Sequence, residues 1–150
     1  MRRITPLIAL TAFAVACSGK PAPPPPPVAV ATPVPTPPPP AVGTVSLGSE
    51  VAADKTVAAP KETFAVKDKV YASVATTGSG HFKLRAVWTF TKGDKTTTVN
   101  ETNLEFDATG PATNEFHIEN TKAWPKGDYE VEIFLNDGTT PAASKTFKIE

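Results

Sequence analysis

The distribution of proline constrains this chain more than any other feature. Twelve of its 17 prolines fall within residues 21–40, leaving five for the other 130 positions. Proline holds φ near −65° and has no amide donor, so such a tract enters neither a helix nor the interior of a sheet. It should extend as polyproline II at ~3.1 Å per residue, so that twenty residues reach on the order of 60 Å. The tract contains no glycine and no serine, which makes it a stiff spacer rather than a slack one. Whatever folds must lie on one side of it, and only the segment after it is long enough.

The segment before the tract reads as an export signal. Arg2 and Arg3 form a basic start, residues 4–15 are uncharged and mostly apolar, and small residues follow in Ala14-Val15-Ala16-Cys17. The apolar run is too short to span a bilayer as a helix, which takes ~20 residues. The four residues ending in Cys17 resemble the lipobox of bacterial lipoproteins, although position 14 is Ala where that family prefers Leu. The resemblance implies cleavage before Cys17 and acylation of its thiol and its freed amine. Burial of acyl chains at ~0.8 kcal/mol per CH₂ makes an anchor of two or more chains stable. Ser18 stands where an Asp commonly retains such proteins in the inner membrane, so the resemblance implies outer-membrane delivery. Residues 1–16 are then signal, 17–43 a lipidated cysteine with its tether, and 44–150 the folded part.

Charge and cysteine content narrow the function classes. Fifteen basic residues balance fifteen acidic ones, so no net field favours nucleic acid. Loss of Arg2 and Arg3 with the signal leaves 13 against 15, and no methionine for a thioether copper site. A lone cysteine makes no intrachain disulfide and no cysteine-built zinc site. Pro33-Val34-Pro35-Thr36-Pro37 and its neighbours contain P-x-x-P spacings, which allow a docking peptide. The spacer reading is preferred, because domains that recognise such peptides are not an obvious resource in a bacterial envelope.

The folded part has strand periodicity and no sustained helical one. Phe82, Leu84, Ala86, Trp88 and Phe90 occupy every second position, with Lys83, Arg85, Val87 and Thr89 between them. Tyr129, Val131, Ile133 and Leu135 repeat this against Asp128, Glu130, Glu132 and Phe134. Val70, Ala72 and Val74 form a shorter run, and further strands are expected at 45–47, 63–66, 96–102, 115–118 and 145–149. Turn chemistry separates them, as in Gly78-Ser79-Gly80, Lys92-Gly93-Asp94 and Asn136-Asp137-Gly138. Seven or eight short strands in 107 residues predict an all-β, immunoglobulin-like antiparallel sandwich.

Two features resemble the immunoglobulin fold in particular. Trp88 lies mid-strand on the inward face, and Gly127-Asp128-Tyr129-Glu130-Val131 resembles the tyrosine corner, with Val131 where antibody domains carry a cysteine. The resemblance implies a Tyr129 hydroxyl bonded to backbone a few residues upstream, with Trp124-Pro125 closing that end of the core. Residues 68–74, 86–90 and 124–129 also resemble uncharacterised envelope domains of bacterial lipoproteins, a likeness that supplies no activity.

The chain offers little catalytic chemistry. His81 and His117 are its only histidines, and its serines sit in no G-x-S-x-G elbow. Phosphate loops, H-E-x-x-H and calcium loops are missing from the sequence. Both histidines are expected at the surface, His117 near Tyr71 if their strands pair. No cofactor or metal is expected, and a small metal carrier or enzyme using the two histidines is the least favoured reading. In an immunoglobulin-like sheet, Lys83 and Arg85 would face outward beside Asp128, Glu130 and Glu132, with Lys148 beyond. Val87 and Phe134 would face outward among them, and with Arg85 and Glu132 they form a candidate partner patch. The sequence thus points to a non-catalytic, lipid-anchored binding module whose partner is an envelope protein or glycan. A structural accessory subunit of a larger envelope complex is the alternative.

Overall fold

The computed structural model describes residues 36–150, so Cys17, the signal and most of the tether lie outside the described residues. Those described form eight strands: β1 (Ala41–Gly48), β2 (Thr63–Phe64), β3 (Val70–Thr77), β4 (Gly80–Lys92), β5 (Lys95–Ala108), β6 (Ala112–Ile118), β7 (Gly127–Leu135) and β8 (Ala143–Ile149). They build a three-stranded sheet, β1-β3-β6, and a five-stranded sheet, β2-β8-β7-β4-β5. Every pairing is antiparallel except β2 with β8. The chain leaves the first sheet after β1 and joins the edge of the second as β2, closing that side of the sandwich. Lys61 N–H to Leu47 C=O (2.9 Å) and Lys148 N–H to Glu62 C=O (2.8 Å) tie the crossing segment to both sheets. The protein is therefore an all-β, immunoglobulin-like sandwich.

The period-2 rows meet between the sheets. Val45 and Leu47, Val70, Ala72 and Val74, and Phe116 and Ile118 face Leu84, Ala86, Trp88, Tyr129, Val131, Ile133, Phe147 and Ile149 in one buried cluster. Alternation puts each apolar set on one side of its strand, and burial of that side holds the register. Trp88 is fully buried and meets Phe147 edge to face at 5.9 Å. Tyr129 stacks on Phe147 at 5.3 Å and meets Trp124 edge to face at 6.1 Å.

The tyrosine corner is formed. Tyr129 Oη donates to the carbonyl of Pro125 at 2.8 Å, and burial raises the pKa of its phenol. Trp124 caps the same end, its amide donating to Val66 C=O at 2.7 Å and its Nε1 to Asp68 C=O at 3.0 Å. Asp68 in turn accepts from Lys61 Nζ at 2.9 Å and from the amide of Ala65 at 3.1 Å. These bonds, chiefly the one from Lys61, hold its carboxyl below the ordinary aspartate pKa.

The end of the proline run belongs to the domain. A folded part starting at residue 44 is too short, because β1 starts at Ala41, paired with Thr77, and passes an irregularity between Val42 and Val45. Ahead of it, Pro38 C=O accepts from the Ser79 amide at 3.0 Å. Gly78, at φ +98°, lets the Pro39 backbone lie where a Cβ would stand. The chain thus enters at the end carrying the β3–β4, β5–β6 and β7–β8 connections, here called the near end. The tyrosine corner, Trp124 and the β4–β5 turn lie at the far end.

Candidate functional site

The expected outward quartet is assembled on the five-stranded sheet, but it is not an open patch. Register sets Arg85 opposite Phe134 and Val87 opposite Glu132. All four therefore adjoin one another, and Val87 and Phe134 lie outside the core cluster. Both are nonetheless only 8% exposed. The guanidinium carbon of Arg85 sits 4.1 Å from the Phe134 ring centroid, so the long cationic side chain covers the aromatic as a cation–π pair. Val87 lies between Glu132 on β7 and Glu101 on β5. Facing outward and being exposed are different properties here, and an exposed aromatic contact at Phe134 is corrected to a covered one.

The charges on this face pair differently from expectation for the same reason. With Phe134 opposite it, Arg85 approaches Glu101 of β5 at 4.0 Å. Lys83 reaches Asp137 at 2.7 Å and Glu105 at 3.9 Å. The hydrogen bond to Asp137 raises the Lys83 pKa above the ordinary lysine value. Lys148 pairs with Asp128 at 3.7 Å across β7 and β8, as the pattern implied. Glu130 and Glu132 have no cation within 4 Å among the described residues. Such exposed pairs contribute little, because water and salt screen them.

The two histidines are not brought together. His81 starts β4 at the near end, with Nδ1 3.1 Å from Asp107 Oδ1. His117 lies near the end of β6 at the far end of the three-stranded sheet, opposite Tyr71 of β3. Among the described residues no group of three or more His, Cys, Asp or Glu is arranged to hold a metal ion.

The polar groups that do converge lie where the sandwich is open. Strands β5 and β6 are edge strands of different sheets, and between them runs a cleft of about 400 Å³. Strand β5 contributes Asn100, Thr102, Asn103 and Leu104, while β6 and the residue after it contribute Glu115, Phe116, His117 and Glu119. Phe116, 3% exposed, belongs to the core cluster, and Leu104 packs against that cluster. Asn100 and Thr102 share the Leu104 side of β5, whereas Asn103, opposite Arg85, lies on the other side, and on β6 Glu115 and His117 alternate with the buried Phe116 and point away from the core.

Polar groups beside the cleft are organised on both strands. Thr102 Oγ1 donates to Asn100 Oδ1 at 3.1 Å, which leaves the Asn100 amide nitrogen free to donate. Glu115 Oε1 lies 3.5 Å from His117 Nδ1, while its Oε2 is buried with no hydrogen-bond partner among the described residues. The His117 ring leans on Tyr71 at 5.4 Å and 47°, and Lys69 pairs with Glu119 beside them. That ion pair raises the lysine pKa and lowers the glutamate one, its hydrogen bond being the largest cause in both. Of these groups the sequence singled out only His117, with its neighbour Tyr71. The polar run at 96–103 was a visible signal, but nothing in it showed that a second edge would stand opposite.

No protein-family profile matches the chain, and no curated protein matches it in sequence. Among solved structures, a β-glucosidase from Erythrobacter marinus superposes with a TM-score of 0.51 at 5% identity, over 74% of this chain and 15% of that one. An immunoglobulin-like protein from Pseudomonas aeruginosa gives 0.46 at 13% identity, over 74% of this chain and 96% of that one. The alkylpurine DNA glycosylase AlkC from Pseudomonas fluorescens gives 0.45 at 11% identity, over 74% and 30%. The chain thus spans 15% and 30% of the two enzymes' length, and its likeness to the β-glucosidase is one of fold alone.

Proposed function

We propose that this chain is a lipid-anchored, non-catalytic protein of the bacterial envelope, delivered to the outer membrane. It displays an immunoglobulin-like binding module on a stiff proline spacer. The anchor rests on Cys17, the charge-free stretch before it and the proline tract after it. One observation carries the display reading: Pro38 and Pro39 are docked at the near end through Ser79 and Gly78. The described chain therefore enters the domain at the near end, and Tyr71, His117 and Glu119 lie at the far end. Cys17→Ser should move the protein from the membrane fraction to the soluble fraction, and unchanged fractionation would refute the anchor.

A second reading, an accessory subunit of a larger envelope complex, is favoured by β5. Its 14 residues form one edge of the five-stranded sheet, and Val99, at the irregularity opposite Trp88 and Thr89, is 38% exposed. A free edge of that length offers backbone groups to a strand from another chain. Crosslinking in the native envelope separates the two readings: a stoichiometric protein partner on β5 favours the subunit, and glycan-dependent retention favours the module.

A further inference from the structure

We infer that β5 pairs with the β5 of a second copy of this chain, antiparallel, about a two-fold axis at Thr102. The inference goes beyond the display reading, and it gives this edge a different occupant from the one the accessory-subunit reading gives it. The first argument is which backbone groups are unused. The Lys83 amide donates to Asn136 Oδ1 at 3.0 Å, and its carbonyl accepts from the Asn136 amide at 2.8 Å, so both point away from β5. Backbone direction alternates along an antiparallel strand. Lys83, Arg85 and Val87 therefore make no ladder bonds to Glu105, Asn103 and Glu101 opposite them. The amides and carbonyls of those three β5 residues point out of the sheet edge instead. β5 contains no proline to blunt that edge, and among the described residues no strand pairs with it. Its one irregularity, between the partners of Trp88 and Thr89, leaves residues 100–108 in regular register.

Charge selects the register and the occupant. Ladder bonds across the edge require Glu101, Asn103, Glu105 and Asp107 to face members of the same alternating set in the second copy. An axis at residue 101, 103, 104, 105 or 106 puts two carboxylates directly opposite each other, which is destabilising. An axis at 100 or below brings the irregular segments of both copies into the middle of the ladder. An axis at Thr102 avoids both. It sets Glu101 opposite Asn103 of the second copy, and symmetry repeats that pair. Asn103 is exposed, and its side chain makes no hydrogen bond among the described residues. Its amide is thus free to donate to a carboxylate that already has Arg85 beside it at 4.0 Å. Two Arg85–Glu101 pairs joined through two asparagines carry no net charge. Between them each Thr102 meets its own copy, a favourable cross-strand pair. An acid and an amide placed symmetrically about one threonine make β5 its own complement under a two-fold.

The test uses the full chain with Cys17→Ser, which leaves no native thiol, and adds a single cysteine at Thr102 or at Glu105. Across the axis the two Thr102 Cα atoms stand ~4.5 Å apart. Thr102→Cys should therefore form a disulfide-linked dimer in a buffer containing oxidised glutathione. The two Glu105 positions are offset by roughly 20 Å along the strands, so Glu105→Cys should not crosslink. Asn103→Glu sets acids opposite Glu101 at two points, while within its own sheet it faces Arg85 and spares the fold. It should raise the dimer Kd in sedimentation equilibrium at least about tenfold. A chain that stays monomeric at about 1 mM would overturn the inference. So would equal crosslinking at both cysteines, or a dimer that Asn103→Glu leaves intact. A photocrosslinker at Thr102 that captures only a different chain in the native envelope would also overturn it and give the edge to the accessory-subunit reading. Membrane release by Cys17→Ser is read separately, so a failed dimer test leaves the anchor reading standing.

Discussion

Gly78→Ala tests whether the end of the proline tract is part of the folded domain. A Cβ on Gly78 would lie 2.1 Å from the Pro39 carbonyl oxygen, 2.6 Å from its carbon and 2.9 Å from Pro40 N. All three are backbone atoms, so no side-chain rotation relieves the contact and the tract must move away. Its Pro38 carbonyl then loses the Ser79 amide at 3.0 Å, a bond with a net contribution of ~1 kcal/mol. The φ of +98° adds the left-handed penalty of an L side chain, roughly 1–2 kcal/mol. The total expected loss is about 2–3 kcal/mol. Gly93→Ala isolates the conformational part, because Gly93 has φ +60° and nothing within 4 Å of its Cβ position. That variant should lose about 1 kcal/mol. Urea melts at constant m measure both losses, and hydrogen exchange at the Ser79 amide reads the lost bond directly. Equal midpoint shifts for the two variants, with Ser79 protection unchanged, would show that residues 38–40 are not docked and that the tether is hinged at β1.

Two further outcomes follow from the core. Trp88→Ala removes a fully buried ring and should cost about 3–5 kcal/mol in a urea melt; a loss under about 1 kcal/mol would place Trp88 outside the core. Burial raises the Tyr129 pKa, so above pH ~10 the unfolded chain releases this proton first. Stability is therefore expected to be complete below that pH and to fall as pH rises through the folded pKa. Tyr129→Phe should flatten that part of the profile at a cost of about 1–2 kcal/mol, since Pro125 C=O loses its donor. An identical alkaline decline in the Phe variant would assign it to other groups.

The legible parts of the fold were those in which one face of a strand is buried and the other wet. β4 and β7 announce themselves because Leu84, Ala86, Trp88, Val131 and Ile133 all enter the core cluster while their neighbours stay outside it. Tyr129 was legible because a specific hydrogen bond, to the Pro125 carbonyl, requires that residue type near the start of that strand. Strand β5 was underestimated, expected over 96–102 and found over Lys95–Ala108. Most of its residues are exposed on both faces, so period-2 alternation, which records burial and not extension, is weak. The outer face was misjudged by the same limit. Alternation gave the direction of Phe134 correctly but not the identity of its cross-strand neighbour, and it is Arg85 opposite it that covers the ring.

Unequal sheets account for the position of the cleft. Three strands cannot roof five, and some inner face of the larger sheet must stay open. On one side the gap is closed by the crossing from β1 to β2, where the Glu62 and Phe64 carbonyls accept from Lys148 and Glu150. On the other side β5 projects past β6 without hydrogen bonding to it. Along that uncovered face, Phe106 and Leu104, opposite Phe82 and Leu84, give way to Thr102 and Asn100, opposite Ala86 and Trp88. The change from apolar to polar on one face of one strand marks where the cover ends, because an apolar side chain there would be left in water without a partner. In the sequence this change reads only as a fading strand signal. In the structure it is a row of hydrogen-bonding groups beside the cleft between the two edge strands.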